Sequence, residues 1–218
     1  MRQITTRHTP SFAEEERMAI RGYHFIAGID ESGRGALAGP VVAAAVILPF
    51  GLKAAWLKQV RDSKLLTTRK REYLYGCIKQ AAISTGVGIV SHLSIDTRNI
   101  VRATRLAMKQ AIEQLRPPAD SLLIDFLNLP EVSIPQKGIV NGDRLCFSIS
   151  CASIIAKVTR DRIMVEMDTI YPGYKMGQHK GYCTEEHIAN LNRLGPSPIH
   201  RRSFRPVKEM ILYEYKKH

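Results

Sequence analysis

His24-Phe25-Ile26-Ala27-Gly28-Ile29-Asp30-Glu31-Ser32-Gly33-Arg34-Gly35, with the run Val41-Val42-Ala43-Ala44-Ala45-Val46-Ile47-Leu48 behind it, decides the fold. Both apolar runs are short, rich in Val and Ile, and bounded by glycines, so they read as strands joined by a tight loop. The acid pair then stands where the first strand, expected over 24–30, leaves the core. Acids suit hard metal ions, and the exposed N–H groups of a glycine-rich bend suit phosphate. Together they point to chemistry on a phosphodiester, although Asp and Gly are also ordinary turn formers. Gly33-Arg34-Gly35 with Gly39 is one residue too long for a dinucleotide fingerprint. That motif should also open a helix, whereas Gly39-Pro40 leads into a strand.

Outward from this stretch, 218 residues allow one large domain or a domain with an appendage. A 44% hydrophobic content supports a real core. Lys and Arg number 32 against 20 Asp and Glu, a formal charge of +12 that favours a polyanionic partner. No Lys-rich amphipathic terminal helix suggests a membrane surface. Cys77, Cys146, Cys151 and Cys183 are too scattered for a disulfide framework. No signal-peptide pattern and no apolar run of about 18 residues occur, so a cytoplasmic location without membrane contact is expected.

Ser11-Phe12-Ala13-Glu14 matches a capping box before a short helix over 13–21. Helices are expected over 67–82, 96–115, 147–169, 184–194 and 206–215, and further strands over 85–91, 121–124 and 137–141. Early strands at hairpin spacing, then strands alternating with helices, predict a mixed sheet flanked by helices with a C-terminal helical appendage. Ile149, Ala152, Ser153, Ala156 and Thr159 form a stripe of small residues, read as packing against the sheet. Helix 96–115 has a basic outer face.

Asp125 follows Ser121-Leu122-Leu123-Ile124, and Asp143 follows Gly138-Ile139-Val140-Asn141-Gly142. Three strand ends thus deliver carboxylates, with Glu31 as a fourth. Converging acids repel, and divalent cations would offset that repulsion. Two metals about 3.5–4 Å apart can activate water and stabilise the leaving oxygen of a phosphodiester. On a regular strand Asp30 and Glu31 point to opposite faces. Either the strand has ended by Glu31 or Glu31 reaches the site from the loop. Lys64 could hold a phosphate as a point charge or be a solvated lysine. His179 and His200 lack the spaced partners of a zinc site.

An ordered set of motifs resembles bacterial ribonuclease HII, the type 2 ribonuclease H family: Asp30-Glu31-x-Gly33-Arg34-Gly35, Asp62-Ser63-Lys64, Leu123-Ile124-Asp125, Gly142-Asp143, Ala152-Ser153-Ile154-x-Ala156-Lys157-Val158-x-Arg160-Asp161, His179-Lys180-Gly181-Tyr182 and His200-Arg201-Arg202-Ser203-Phe204. It runs from about residue 24 to 210. The resemblance implies a ribonuclease H-like α/β fold with a five-stranded mixed sheet. It implies an extension over 1–22, a catalytic domain over 23–170 and a C-terminal helical region over 171–218 that contributes Tyr182. It implies a metal-dependent endoribonuclease that cleaves the RNA strand of RNA–DNA hybrids, incises at single ribonucleotides in duplex DNA, and leaves 3′-hydroxyl and 5′-phosphate ends. Ribonucleotide removal in DNA replication and repair would be its task.

Carried over by position, Asp30, Glu31, Asp125 and Asp143 would hold Mg²⁺ or Mn²⁺ in a two-metal site. Gly33, Arg34 and Gly35 would contact the ribose 2′-hydroxyl through their main chain, and Tyr182 would sense the RNA–DNA junction. Glycines do let backbone approach a sugar, and the 2′-hydroxyl separates RNA from DNA. A monomer is expected. Two positions depart from the family pattern: Asn141 where Lys is frequent, and Phe126-Leu127 where Gly-Asn is frequent. A non-catalytic hybrid-binding module, or a DNA nuclease or integrase of the same fold, are the competing readings; the complete acid set and the ribose-reading loop argue against them.

Overall fold

The computed structural model describes residues 9–215. The first eight residues of the expected extension lie outside them. Five strands form one mixed sheet in the order β3-β2-β1-β4-β5. They are β1 (Ile26–Ser32), β2 (Val41–Ile47), β3 (Ser84–Val90), β4 (Ser121–Asp125) and β5 (Gln136–Ile139). β1, β2 and β3 pair antiparallel, while β1–β4 and β4–β5 pair parallel. A hairpin followed by helix-connected strands gives this mixture.

Alternate residues of β2 feed two cores. Val41, Ala43, Ala45 and Ile47 join Ala27 and Ile29 under α4 (Ile100–Glu113). Ala44 and Val46 pack against α6 (Phe147–Ile170) and α2 (Thr68–Ala81), where Leu74 and Ile78 are fully buried. Each such side chain contributes about 1.5–3 kcal/mol by leaving water. α6 lies so close to β1 that a Cβ on Gly28 would strike its backbone at Ser148. After α6 come α7 (Met176–His179), α8 (Glu185–Leu194) and α9 (Val207–Tyr215). They dock through Tyr174, Met176, Leu191 and Val207 onto Leu37, Ala38 and Met164. Among the described residues no helix is long and apolar enough to cross a membrane.

Four local expectations are corrected. β1 runs on through Glu31 and Ser32, which pair with Ala43 and Val42, so Glu31 lies on the strand and not on the loop. The expected helix 96–115 is two, α3 (His92–Arg98) and α4, because Asn99 takes a positive φ of 67° and its Oδ1 accepts the N–H groups of Val101 and Arg102. β5 stops at Ile139, and Asp143 sits in the first turn of α5 (Gly142–Leu145) after Asn141 turns left-handed. Asn tolerates that region better than most residues. Finally, Ser11 does not cap α1 (Ala13–Ile20). Its backbone is tied to Leu145 and Phe147, and its Oγ only reaches Ala13 N at 3.4 Å. Glu15 instead crosses from α1 to accept the Ser148 N–H at 2.8 Å, near the start of α6.

Candidate active site

The β1–β4 pairing ends at Ile29–Ile124, while β1 continues three residues further against β2 alone. This step leaves the β4 side of Asp30 and Glu31 open and sets Asp125, the last residue of β4, beside them. Asp30 shares its strand face with Gly28, accepts the Glu31 N–H at 2.7 Å, and has its pKa restrained by the Ser153 hydroxyl of α6. Glu31 starts on the other face. At the ragged edge both sense Asp125, whose charge raises both carboxyl pKa values. Asp143 joins from α5 and feels Asp125 in turn. The four acids thus form one electrostatic group drawn from two strand ends and a helical turn.

Burial is the largest influence on all four. It pushes Asp30 well above the usual carboxylate range, reinforced by Glu31 and Asp125. Glu31 is raised by burial, against the pull of Arg34, whose Nη1 lies 3.1 Å from Oε1. Asp125 is raised by burial and restrained by the Gly142 N–H at 2.7 Å, and Asp143 is raised by burial, Asp125 and Asp62. Lys64 opposes the rise at Glu31, Asp125 and Asp143. Asp62 places it there: its Oδ1 accepts the Lys64 N–H at 2.9 Å and its Oδ2 faces Arg144 at 2.9 Å.

The donor set fits a hard divalent cation. All four groups are carboxylates, and Glu31 Oε2 is buried without a hydrogen-bond partner. Among the described residues no three acid, His or Cys side chains stand together as a ready cage. Glu31 and Asp125 have protein partners: Arg34 pairs with Glu31, and the Gly142 N–H bonds Asp125.

Beside the acids lies a depression of about 490 Å³. Glu31, Gly33, Arg34, Gly35, Lys64 and Tyr182 all line it, with Ser153, Arg71 and Lys157 in its wall. Among the described residues Arg34 and Gly35 give their backbone N–H to no protein acceptor. Ser153, assigned to packing by its sequence stripe, serves the site as well. Its hydroxyl lowers the Asp30 pKa against burial and sits 2.9 Å from Ser63 Oγ.

Two further residues, to which the motif pattern assigned no role, hold this wall. Arg160 and Arg201 are fully buried. Arg160 donates to the carbonyls of Ala38, Pro40 and Lys180, and its guanidinium lies 5.2 Å from the Tyr182 ring centre. Arg201 donates to those of Gly33, Arg34, Gly39 and Pro40. Burial and the Arg160 charge lower the Arg201 pKa to about 9, leaving it cationic at neutral pH. One signal was readable: Arg160 falls one helical turn after Ala156, on the buried stripe, where a charge needs a reason.

His179 and His200 are structural. His179 Nε2 lies 2.7 Å from Tyr174 O, and His200 bonds Ser197 and His187. Of the two departures from the family pattern, Asn141 provides the left-handed turn before Asp143, and Phe126 takes φ 59° with its ring exposed.

A family model described as ribonuclease HII matches residues 27–207. The ribonuclease HII of Dehalococcoides mccartyi is 58% identical over 202 residues, covering 93% of this chain and 96% of that protein. That of Geobacter metallireducens is 51% identical over 197 residues, covering 90% and 91%. The crystal structure of ribonuclease H2 from Pyrococcus horikoshii superposes with a TM-score of 0.71 at 23% identity, over 88% of this chain and 99% of that one. This last likeness speaks for the fold.

Proposed function

The chain belongs to the ribonuclease HII family, metal-dependent endoribonucleases, and from that premise we propose that it cleaves RNA–DNA hybrids and incises at single ribonucleotides embedded in duplex DNA. The observation that carries the finer reading is the shared depression. It puts Glu31 of the acid group, the Gly33-Arg34-Gly35 backbone and the Tyr182 ring on one surface. A ribose held by that loop would have its 2′-hydroxyl next to main-chain donors, the feature that separates RNA from DNA. Tyr182 offers a flat face to the following sugar or base.

Asp30, Glu31, Asp125 and Asp143 would hold the divalent cations, Mg²⁺ or Mn²⁺. Once bound, a pair of such ions supplies Lewis-acid chemistry: water activation and stabilisation of the leaving oxygen, giving 3′-hydroxyl and 5′-phosphate ends. The rest falls to the chain. Arg34 and Lys64 face the phosphate as cations, Tyr182 orients the junction, and the two buried arginines hold the loop rigid. Every residue assigned to the site comes from one chain, and we infer action as a monomer.

The test is a pair of duplexes that differ in one 2′-hydroxyl. Cleavage of the ribonucleotide-containing strand, abolished by chelator and absent on the all-DNA strand, is expected. Equal cutting of both would remove the ribose-reading assignment.

A further inference from the structure

One strongly basic feature is unused by this site. α4 buries Ala103, Ala107, Met108 and Ala111, while Arg102, Arg105 and Lys109 follow one another along a second face at helical spacing. Arg98 joins them from the last turn of α3, across the Asn99 break. With Leu106 and Glu131 they line a depression of about 410 Å³. Among the described residues Arg98, Arg102 and Arg105 form no ion pair, and Lys109 reaches only Glu113 at 3.8 Å. Arg105 Nε is buried without an acceptor, an arrangement that is unfavourable unless something else bonds it.

This depression lies toward the same end of the sheet as the acids. A Cβ on Gly86 would meet Ala111 O and one on Gly88 would meet Ala107 O, so α4 runs antiparallel to β3. β3 runs parallel to β1 through their shared antiparallel partner β2. The start of α4 therefore points to the end of β1 that carries Asp30 and Glu31. A second link is direct. Asp96 of α3 accepts the N–H groups of Arg202 and Ser203, next to the Arg201 that clamps Gly33 and Arg34.

We propose that Arg98, Arg102, Arg105 and Lys109 form a second contact with the sugar–phosphate backbone of the duplex, away from the cleaved nucleotide. The proposal rests on the hybrid-cleaving reading above. Arg102 to Lys109 spans about 10 Å at the helical rise of 1.5 Å per residue. That equals about three phosphates of one strand at 3.4 Å of axis each. Guanidinium forks suit phosphate oxygens, and such contacts fix register without reading sequence. An acidic protein segment is the less favoured occupant, because Leu106 is the sole apolar residue in the depression's described lining and so offers little anchor.

The test uses an all-DNA duplex, which binds without being cut, in a length that extends well past the site and in a length that covers the site alone. Affinity is measured over a salt series with Mg²⁺ present. Arg102→Gln/Arg105→Gln should lower the salt slope on the long duplex by roughly 1.8, at about 0.9 per lost phosphate contact. On the short duplex it should bind as the wild type does. Lys53→Gln/Lys58→Gln, an equal charge change at exposed positions elsewhere, should keep the wild-type slope. If the first variant melts early, Arg98→Gln/Lys109→Gln, the same charge change at two exposed positions, reads the same loss. An unchanged slope in the stripe variants overturns the proposal and turns attention to a protein occupant. An equal loss in the Lys53/Lys58 control overturns it in favour of bulk charge. Because binding is read without turnover, a protein that binds through the stripe but cuts no hybrid loses the catalytic reading alone.

Discussion

A Cβ on Gly33 would fall inside the guanidinium of Arg160. The Gly33-Arg34-Gly35 loop and the buried arginine fill complementary space, and Gly33 sits at φ 93°, a region that disfavours any side chain. The same arginine underlies Tyr182, so one guanidinium supports both proposed substrate contacts. Gly33→Ala is therefore expected to lower cleavage by about a hundredfold, since misplacement near 1 Å has that scale of effect. Arg160→Met should behave differently. It strips bonds from the buried Ala38 carbonyl and from the part-buried Pro40 and Lys180 carbonyls, at up to about 1–3 kcal/mol for the buried one, and each kcal/mol lowers the melting temperature by about 2–4 °C in a chain of this size. Single-turnover cleavage and melting, measured side by side, check both. Wild-type turnover in Gly33→Ala would mean that the loop does not touch substrate.

Asp30→Asn should lose turnover and gain stability. Burial together with the Glu31 and Asp125 charges makes an ionised Asp30 unfavourable in the folded protein. The amide removes that charge, and its oxygen still accepts the Glu31 N–H. In chelator at neutral pH the variant is expected to be more stable by about 1–2 kcal/mol, the scale of a relieved functional site. A variant that is both inactive and less stable would assign Asp30 to the scaffold.

Much of this was legible in the chain. The runs before Asp30 and after Gly39 announced β1 and β2 because their alternation and glycine boundaries are local properties. Asp125 at the end of β4 followed from the same reading. Glu31 was not resolved, because its access depends on β4 stopping short of β1, a register that exists only between strands. The Asn99 break was hidden by apolar spacing that continues through it, while the decisive interaction is one amide side chain closing on two N–H groups. Arg160 and Arg201 were quoted as motif residues but given no role, since their partners are carbonyls 20 to 168 residues away.

Glu15 gives the N-terminal helix a task. It is almost fully buried, accepts the Ser148 N–H at 2.8 Å and faces Cys146 Sγ at 3.1 Å. α6 has no capping side chain of its own, so Glu15 supplies the acceptor from outside. Glu15→Ala is expected to destabilise by about 1–2 kcal/mol, as loss of a cap does. Glu15→Gln, which keeps an acceptor, should lose less. Equal denaturation midpoints for Glu15→Ala and wild type would show that α6 starts unaided.

The last expectation concerns acid. The Ser197 N–H donates to His200 Nδ1 at 2.9 Å, so the His200 proton resides on Nε2, which donates to His187 Nε2 at 3.0 Å. His187 in turn uses its Nδ1–H to hold the Tyr182 carbonyl at 2.9 Å. These partners assign the tautomers. A second proton on either ring would set donor against donor in a buried place. Burial first, then the His187 charge, lowers His200 to about 4. The unfolded chain takes up this proton near pH 6.5, whereas the folded chain resists it until about 4. Stability from neutral His200 is thus full above about pH 6.5 and declines as pH falls toward 4. By pH 5 the loss is about 2 kcal/mol, or roughly 4–8 °C in melting temperature. The four site carboxylates, raised by burial, act in the opposite sense and gain stability on acidification. The informative quantity is therefore the difference between wild type and His200→Gln across pH 7.5 to 5. The variant, although less stable at neutral pH, should lose less on acidification. Parallel melting curves for the two proteins would show that His200 takes up its proton without resistance, and that the Tyr182 carbonyl is held by another route.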